Sequence, residues 1–487
     1  MVKMLSSALI IFGIGSFYTY VQFSHPGIIG IDGYFHIRFA QEMWHTGIIY
    51  DFRWLVYTIY SRNFTDDHFL FHVLQIPFTF GNLIVGAKIY AIIFPTLAFA
   101  LFFALLTQQK IRFPLFWTAL LFVSSAPFIL RLGMPRAASI SLIFLLIGTW
   151  IILNHQYKKL LPLAFCYVWL YGGFPLLFVM ACVAFFTFWF AEHKKNPQII
   201  FFCGLGMLLG LILNPYFPHN LSFLLKSYTQ IELGMFPSHI PGGNEDYPYA
   251  SSSAVRNALP VWCAVFAGML AYMISKHRLD AKTLFLFLFS IALLCLYLNV
   301  RRFIEYWAPF GILFSAFALN PFIPEQPLKM LFKPSLGKGI AFALCLFLLL
   351  ACWDTCTQIF DYRQNYRDPK TYQGAAEFLK RETPQNAIVF TADWDDFPLL
   401  FHFNSHNRYI VGMDLRYLYY YDPQLCDLWL SISDGTEKDA VLKIKEFFRA
   451  DYIFCPKDEK AFLRNIHRSS GDKQIIYEDA HAILFKI

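Results

Sequence analysis

The sequence predicts a polytopic α-helical membrane protein that ends in a small external α/β domain. Three observations carry this. Apolar runs of about span length recur up to residue 356, basic residues fall on alternate loops between them, and after residue 356 short strand and helix patterns alternate.

Composition sets the class. Of 487 residues, 57% are hydrophobic and 15% charged, against about 25% charged in an ordinary soluble domain. Mean hydropathy is +0.45. Aromatics at 19% suit lipid-facing helices and interfacial belts. The net charge of +7 does not point to nucleic acid, because most lysines sit in short loops where topology accounts for them. Ten cysteines are scattered, mostly inside apolar runs, with no zinc spacing and no indicated disulfide.

About 20 apolar residues cross the hydrocarbon core. Runs of that kind lie near 4–23, 83–107, 113–130, 137–153, 160–172, 174–191, 199–214, 259–275, 283–298, 304–320 and 338–356, about eleven in all. The first has no small-residue cleavage pattern behind it, so it reads as an uncleaved span rather than a signal peptide. The pair around Tyr171-Gly172-Gly173 is short and reads as two half-spans or one broken helix. With the N-terminus inside, Lys110/Arg112, Lys158/Lys159, Lys194/Lys195, Lys276/Arg278/Lys282 and Lys329/Lys333/Lys338 all fall on the cytoplasmic side.

The loop 24–82, the turns at 131–136 and 299–305, the loop 215–258 and the tail then face outside. The expected division is a membrane domain, 1–356, and an external domain, 357–487. In the tail, 372–380 and 440–449 read as helices, and 387–391, 408–411 and 451–455 as strands. Residues 474–477 and 482–486 read as a terminal hairpin.

Two charged clusters stand in the first external loop. Gly30-Ile31-Asp32-Gly33-Tyr34-Phe35-His36-Ile37-Arg38 places an acid, a histidine and an arginine just beyond the first span. Asp32 has the chemistry of a helix N-cap or of a base, and Asp32 and His36, four apart, share a helix face. The second cluster, Thr65-Asp66-Asp67-His68 with His72, is expected to face the first. Its carboxylate pair beside histidine suits a hard divalent cation. The alternative is a capped, solvated first turn.

Arg301, Arg302 and Glu305 interrupt an apolar region at the outer end of a span. They read as an internal Arg302–Glu305 pair or as a phosphate site. Arg131 and Arg136 also break the charge rule and read as lining the same cavity or as meeting lipid headgroups. The loop 215–258, with Glu245 and Asp246, reads as a functional lid or a plain external loop, and those two acids as candidate acceptor contacts. His402, His406 and Asp414 show no metal spacing.

The arrangement of spans, acidic first loop and external α/β tail resembles the GT-C superfamily of glycosyltransferases, and most of all the catalytic subunit of oligosaccharyltransferase. Asp32-Gly33-Tyr34-Phe35-His36-Ile37-Arg38 is similar to that family's first-loop acidic motif. Ala392-Asp393-Trp394-Asp395-Asp396-Phe397, after a strand, resembles in part the tail motif WWDYG, which is itself absent. That departure separates glycosyl transfer, which the resemblance implies, from recognition of an asparagine sequon.

What the resemblance implies is transfer of a sugar or oligosaccharide from a polyprenyl-(di)phosphate carrier to a lipid, glycan or protein acceptor. The setting would be the bacterial inner membrane, with the site and tail periplasmic. Asp32 would be the base. Asp66, Asp67, His68 and Asp32 would hold a divalent metal, Mg or Mn. His36, Arg38, Arg301, Arg302, Glu305, Trp394 and Asp395 would contact substrate.

The rival classes are a transporter or flippase of lipid-linked sugars and a non-catalytic scaffold of the same fold. A transporter would place its ionisable groups near the bilayer midplane, often in repeated halves. No internal repeat is present, and the charges cluster externally.

Overall fold

The computed structural model describes the chain except residues 1, 62–63, 227–236, 238, 275–279, 324–335, 363–365 and 367. Lys276, Arg278, Lys329 and Lys333 of the expected cytoplasmic series lie outside the described residues, as does the side chain of Lys338. The chain divides into two compact units.

The first unit comprises Met1–His25, Ile89–Leu213 and Asn244–Asn365 and is helical. Each expected apolar run coincides with a helix or a bent pair. Among the described residues four helices are long and apolar enough to cross a membrane: Leu83–Gln108, Pro175–Glu192, Ala281–Asn299 and Phe342–Tyr362. They become five if Pro114–Phe122 and Ala126–Leu132, bent by 89°, form one span.

Other expected runs form shorter apolar helices: Ala8–Phe23, Ala138–Leu153, Gln198–Ile212 and Leu259–Ile274. Helices such as Gln198–Ile212, 15 residues long, reach roughly 22 Å, short of a hydrocarbon core of about 30 Å. The chain also breaks at Tyr171, which is extended at φ −165°, before Pro175 starts the next helix.

Helix Ile304–Leu319 is the buried centre of this unit, with every residue from Ile304 to Ala318 buried. Glycines allow its close approach to Leu259–Ile274. A Cβ on Gly268 would lie 3.0 Å from Ser315 Cα, and one on Gly311 would lie 3.0 Å from Val265. Gly206 and Gly210 do the same for Gln198–Ile212 against Leu160–Leu170, where a Cβ on Gly206 would lie 2.3 Å from the Leu161 carbonyl oxygen. Small residues four apart are the usual means of close helix packing in lipid. Phe190, Phe201, Leu270 and Met273 project outward as an apolar skin.

The second unit comprises Pro26–Lys88, Asn214–Gly243 and Tyr366–Ile487. Its sheet has the order β2-β1-β3-β5-β4, with β1 Ile388–Phe390, β2 Arg408–Tyr409, β3 Tyr452–Pro456, β4 Gln474–Glu478 and β5 Ala482–Lys486. The first three strands are parallel, and β5 pairs antiparallel with both β3 and β4. Every strand expected in the tail is present. Helix Asp396–Phe403 follows the Asp393–Asp396 segment, and helices Arg416–Tyr421, Pro423–Ser433 and Lys460–Arg468 add to the expected elements. Phe390, Ile453, Trp429 and Phe462 form its core.

The first loop is woven into this sheet. Tyr409 donates its N–H to the Trp54 carbonyl at 2.7 Å, and Val56 donates back to the Tyr409 carbonyl at 3.0 Å, so residues 54–56 extend the edge beyond β2. Trp54 Nε1 also donates to the Ser405 carbonyl at 2.8 Å. Helix Asp32–Thr46 lies on Asp396–Phe403, with the Phe35 ring 5.8 Å from Phe401 and 6.0 Å from Phe397. The expected boundary at 356/357 falls inside helix Leu336–Tyr362.

Candidate functional site

Some candidate residues gather into a cluster in each unit, and others stand apart. In the second unit, Gly30 at φ 80° turns the chain into helix Asp32–Thr46 and Gly47 at φ 81° turns it out. Both values belong to the left-handed region that favours glycine. Ile31 holds the N-cap position, so Asp32 is inside the first turn rather than capping it. A carboxylate there is favoured by the helix dipole. His36 follows one turn later and is buried.

The second acidic cluster meets this helix. His36 Nδ1 lies 2.9 Å from His72 Nε2, and His72 Nδ1 lies 2.8 Å from Asp66 Oδ2. The expectation that the two clusters of the first loop face each other is therefore met. With Asp66 Oδ2 as the acceptor, His72 donates from Nδ1 and accepts at Nε2 from His36 Nδ1–H. The chain of bonds leaves His36 Nε2 as an acceptor. The other Asp66 oxygen accepts the His68 N–H at 3.0 Å.

Helix Phe69–Gln75 starts after His68, not at Thr65 or Asp66, so neither residue is its cap. Asp66, Asp67 and His68 bring one ligand atom each within 4.8 Å of one another. His68 Nδ1 is 2.9 Å from Asp67 Oδ1. Burial raises the Asp67 pKa, but the charge and hydrogen bond of His68, with His72 behind, outweigh it and hold the carboxyl below its ordinary value. The two carboxylates offer hard oxygen donors of the kind Mg and Mn take, and the imidazole adds a borderline nitrogen donor. The hydroxyl of Thr65, next in the chain, is buried and has no hydrogen-bond partner among the described residues.

Other candidates have structural partners. Arg38 pairs with Glu42 at 2.8 Å and donates to Ser405 Oγ at 2.8 Å, tying the helix to the tail. Trp394 packs 6.2 Å from Trp429, and Asp395 is exposed, its N–H bonded to Asp393 Oδ1 at 2.9 Å. Both follow β1, at the carboxyl end of a parallel strand, where ligands commonly bind in α/β sheets. Buried Asp396 accepts from Tyr372 at 2.6 Å.

The cluster in the first unit gathers helix ends that the Lys/Arg count put on one side. Arg131 reaches Glu305 at 2.5 Å and Glu245 at 2.9 Å, and Arg136 grips Glu245 with two bonds of 2.9 Å. Arg302 pairs with Asp246 at 3.2 Å. The expected Arg302–Glu305 pair is corrected. A 3₁₀ turn, Arg301–Phe303, precedes the helix that starts at Ile304, and the two side chains take separate partners. Arg301 donates to the Tyr247 and Pro248 carbonyls at 2.9 Å each and lies 4.7 Å over the Tyr249 ring.

Glu245 tends upward through burial, yet Arg136, Arg131 and Arg302 hold its carboxyl far below the usual range. The sequence offered one cavity for Arg131, Arg136 and Arg302 but did not join Glu245 to them. Its one signal was three charges at expected outer loop ends.

No protein-family model and no curated relative matches the chain. Solved structures do. The oligosaccharyltransferase AglB of Archaeoglobus fulgidus, in complex with an inhibitory peptide and a dolichol-phosphate, has a TM-score of 0.64 and 14% identity, over 96% of this chain and 72% of its own. ArnT of Cupriavidus metallidurans bound to undecaprenyl phosphate has a TM-score of 0.60 and 11% identity, over 98% and 97%. Its apo form has a TM-score of 0.56 at 11% identity over the same shares. At these identities the likeness is one of fold, and the fold of this chain is that of the GT-C glycosyltransferases AglB and ArnT.

Proposed function

We propose that the chain is an integral membrane glycosyltransferase that moves a sugar or oligosaccharide from a polyprenyl-(di)phosphate carrier to an acceptor on the external face. The observation that carries this reading is the joining of Asp66, His72 and His36 beside Asp67 and His68, one turn from Asp32. Both neighbours with bound lipid hold a polyprenyl phosphate, which supports a lipid-linked donor.

In this reading the acceptor O–H or N–H attacks the anomeric carbon and Asp32 takes its proton. The bond from that carbon to the phosphate oxygen breaks, and the electron pair leaves with the phosphate. Within the first unit, Arg131, Arg136 and Arg302 supply guanidinium forks of the kind that bind phosphate. Asp66, Asp67 and His68 would hold a divalent cation, Mg or Mn, which supplies Lewis-acid stabilisation of developing phosphate charge. His72 orients Asp66, and His36 fixes the His72 tautomer. Trp394 and Asp395 are proposed acceptor contacts.

The test is transfer of a labelled sugar from an undecaprenyl-linked donor by membranes carrying the chain. Signal above membranes without it, abolished by Asp32→Asn at equal expression, supports the reading. Absence of transfer across lipid, glycan and peptide acceptors counts against it.

A further inference from the structure

Arg131, Arg136 and Arg302 converge on a short turn of this same chain, Asn244–Asp246, which fills their forks with two carboxylates. Arg136 holds Glu245 end-on through two N–H groups, the geometry by which guanidinium also takes phosphate. The charges of this cluster balance, three arginines against Glu245, Asp246 and Glu305. Glu305 is fixed in the buried central helix, whereas Glu245 and Asp246 are on the turn. If the turn withdraws, three cations face one anion, and the surplus of two positive charges matches the two negative charges of the diphosphate in a polyprenyl-diphosphate donor, or of the polyprenyl phosphate monoester that a phosphate-linked donor releases. A pivot is present: the Tyr247 carbonyl accepts from both the N–H and Nε of Arg301, at 3.2 and 2.9 Å, so the chain just after the turn stays anchored.

We propose that Glu245 and Asp246 form a built-in anion that occupies the arginine site and yields to the phosphate of the arriving donor. The proposal rests on the donor-phosphate reading above and adds a competitor to it. Occupancy by the turn lowers the apparent affinity for phosphate by the fraction of molecules in which the site is open. The exchange replaces one bidentate anion with another, so the arginines never stand uncompensated in a poorly solvated setting.

The experiment is calorimetric titration of the detergent-solubilised full chain with undecaprenyl phosphate and, in a parallel arm, inorganic phosphate. Wild type, Glu245→Gln and Arg136→Gln are compared. Glu245→Gln is expected to bind undecaprenyl phosphate about tenfold more tightly than wild type, and Arg136→Gln more weakly. The same order with inorganic phosphate would show that the phosphate group alone displaces the turn. The order with undecaprenyl phosphate only would show that the prenyl chain is needed. Equal or weaker binding by a folded Glu245→Gln would overturn the competitor while leaving the donor reading intact. Failure of wild type and Glu245→Gln to bind either probe would overturn both.

A second measurement avoids the charge change. A spin label on Asn244→Cys, with Cys263, Cys295 and Cys345 replaced by serine, is expected to gain mobility when undecaprenyl phosphate is added. An unchanged spectrum at saturating ligand contradicts the displacement.

Discussion

His72 donates its Nδ1 proton to Asp66 Oδ2 at 2.8 Å, and both side chains are about 3% exposed. A buried bond of this kind fixes the carboxylate and makes it a better ligand. His72→Ala is therefore expected to weaken Mn binding by roughly 10- to 100-fold, read by paramagnetic resonance of free Mn in a titration. Unchanged affinity would remove His72 as a positioning residue.

His402 provides a pH test of the packing between the first loop and the tail. Burial pushes its pKa down to about 4, with the bond to the Tyr34 carbonyl opposing and the Arg38 charge assisting. The unfolded value is about 6.5. The neutral ring is favoured in the fold, so its contribution is full above about pH 6.5 and is lost as pH falls toward about 4. The unfolding temperature should fall across that window, and His402→Phe should flatten the fall. An identical pH slope in the variant would contradict the assignment.

Two glycines of one helix predict opposite outcomes. A side chain at Gly206 would collide with the Leu161 backbone, whereas one at Gly204 would meet only the Phe178 ring at 3.6 Å. Gly206→Leu should cost about 1–3 kcal/mol, and Gly204→Leu should be tolerated. Thermal unfolding in detergent separates the two.

Arg131 and Glu305 set a harder constraint, since Glu305 is 3% exposed. Arg131→Gln leaves that charge uncompensated and should cost roughly 3–5 kcal/mol. The double change Arg131→Met with Glu305→Leu should restore much of the stability without restoring transfer. Stability measurements and transfer assays on the same preparations would show this split.

These tests also mark where the sequence was readable. Asp32, His36, Asp66, Asp67 and His68 could be picked out because local spacing and their place after a hydrophobic run carry the signal. The tail strands were legible for the same reason. Partners far apart in the chain were not. Arg136 and Glu245 are 109 positions apart, and Arg131 and Glu305 are 174 apart. Arg302 and Glu305 misled because a spacing of three suggests a helical pair, and the 3₁₀ turn beginning at Arg301 breaks that register. The use of residues 54–56 as sheet edge was equally hidden, because Trp54 and Tyr409 find each other only through tertiary folding.

The measurement that tests the central claim most directly is sugar transfer by purified wild type and Asp32→Asn in matched detergent, with an undecaprenyl-linked labelled sugar and equal unfolding temperatures confirmed beforehand. The account predicts a loss of at least about 100-fold in the variant, in line with removal of a general base. Full transfer by a folded Asp32→Asn would contradict it.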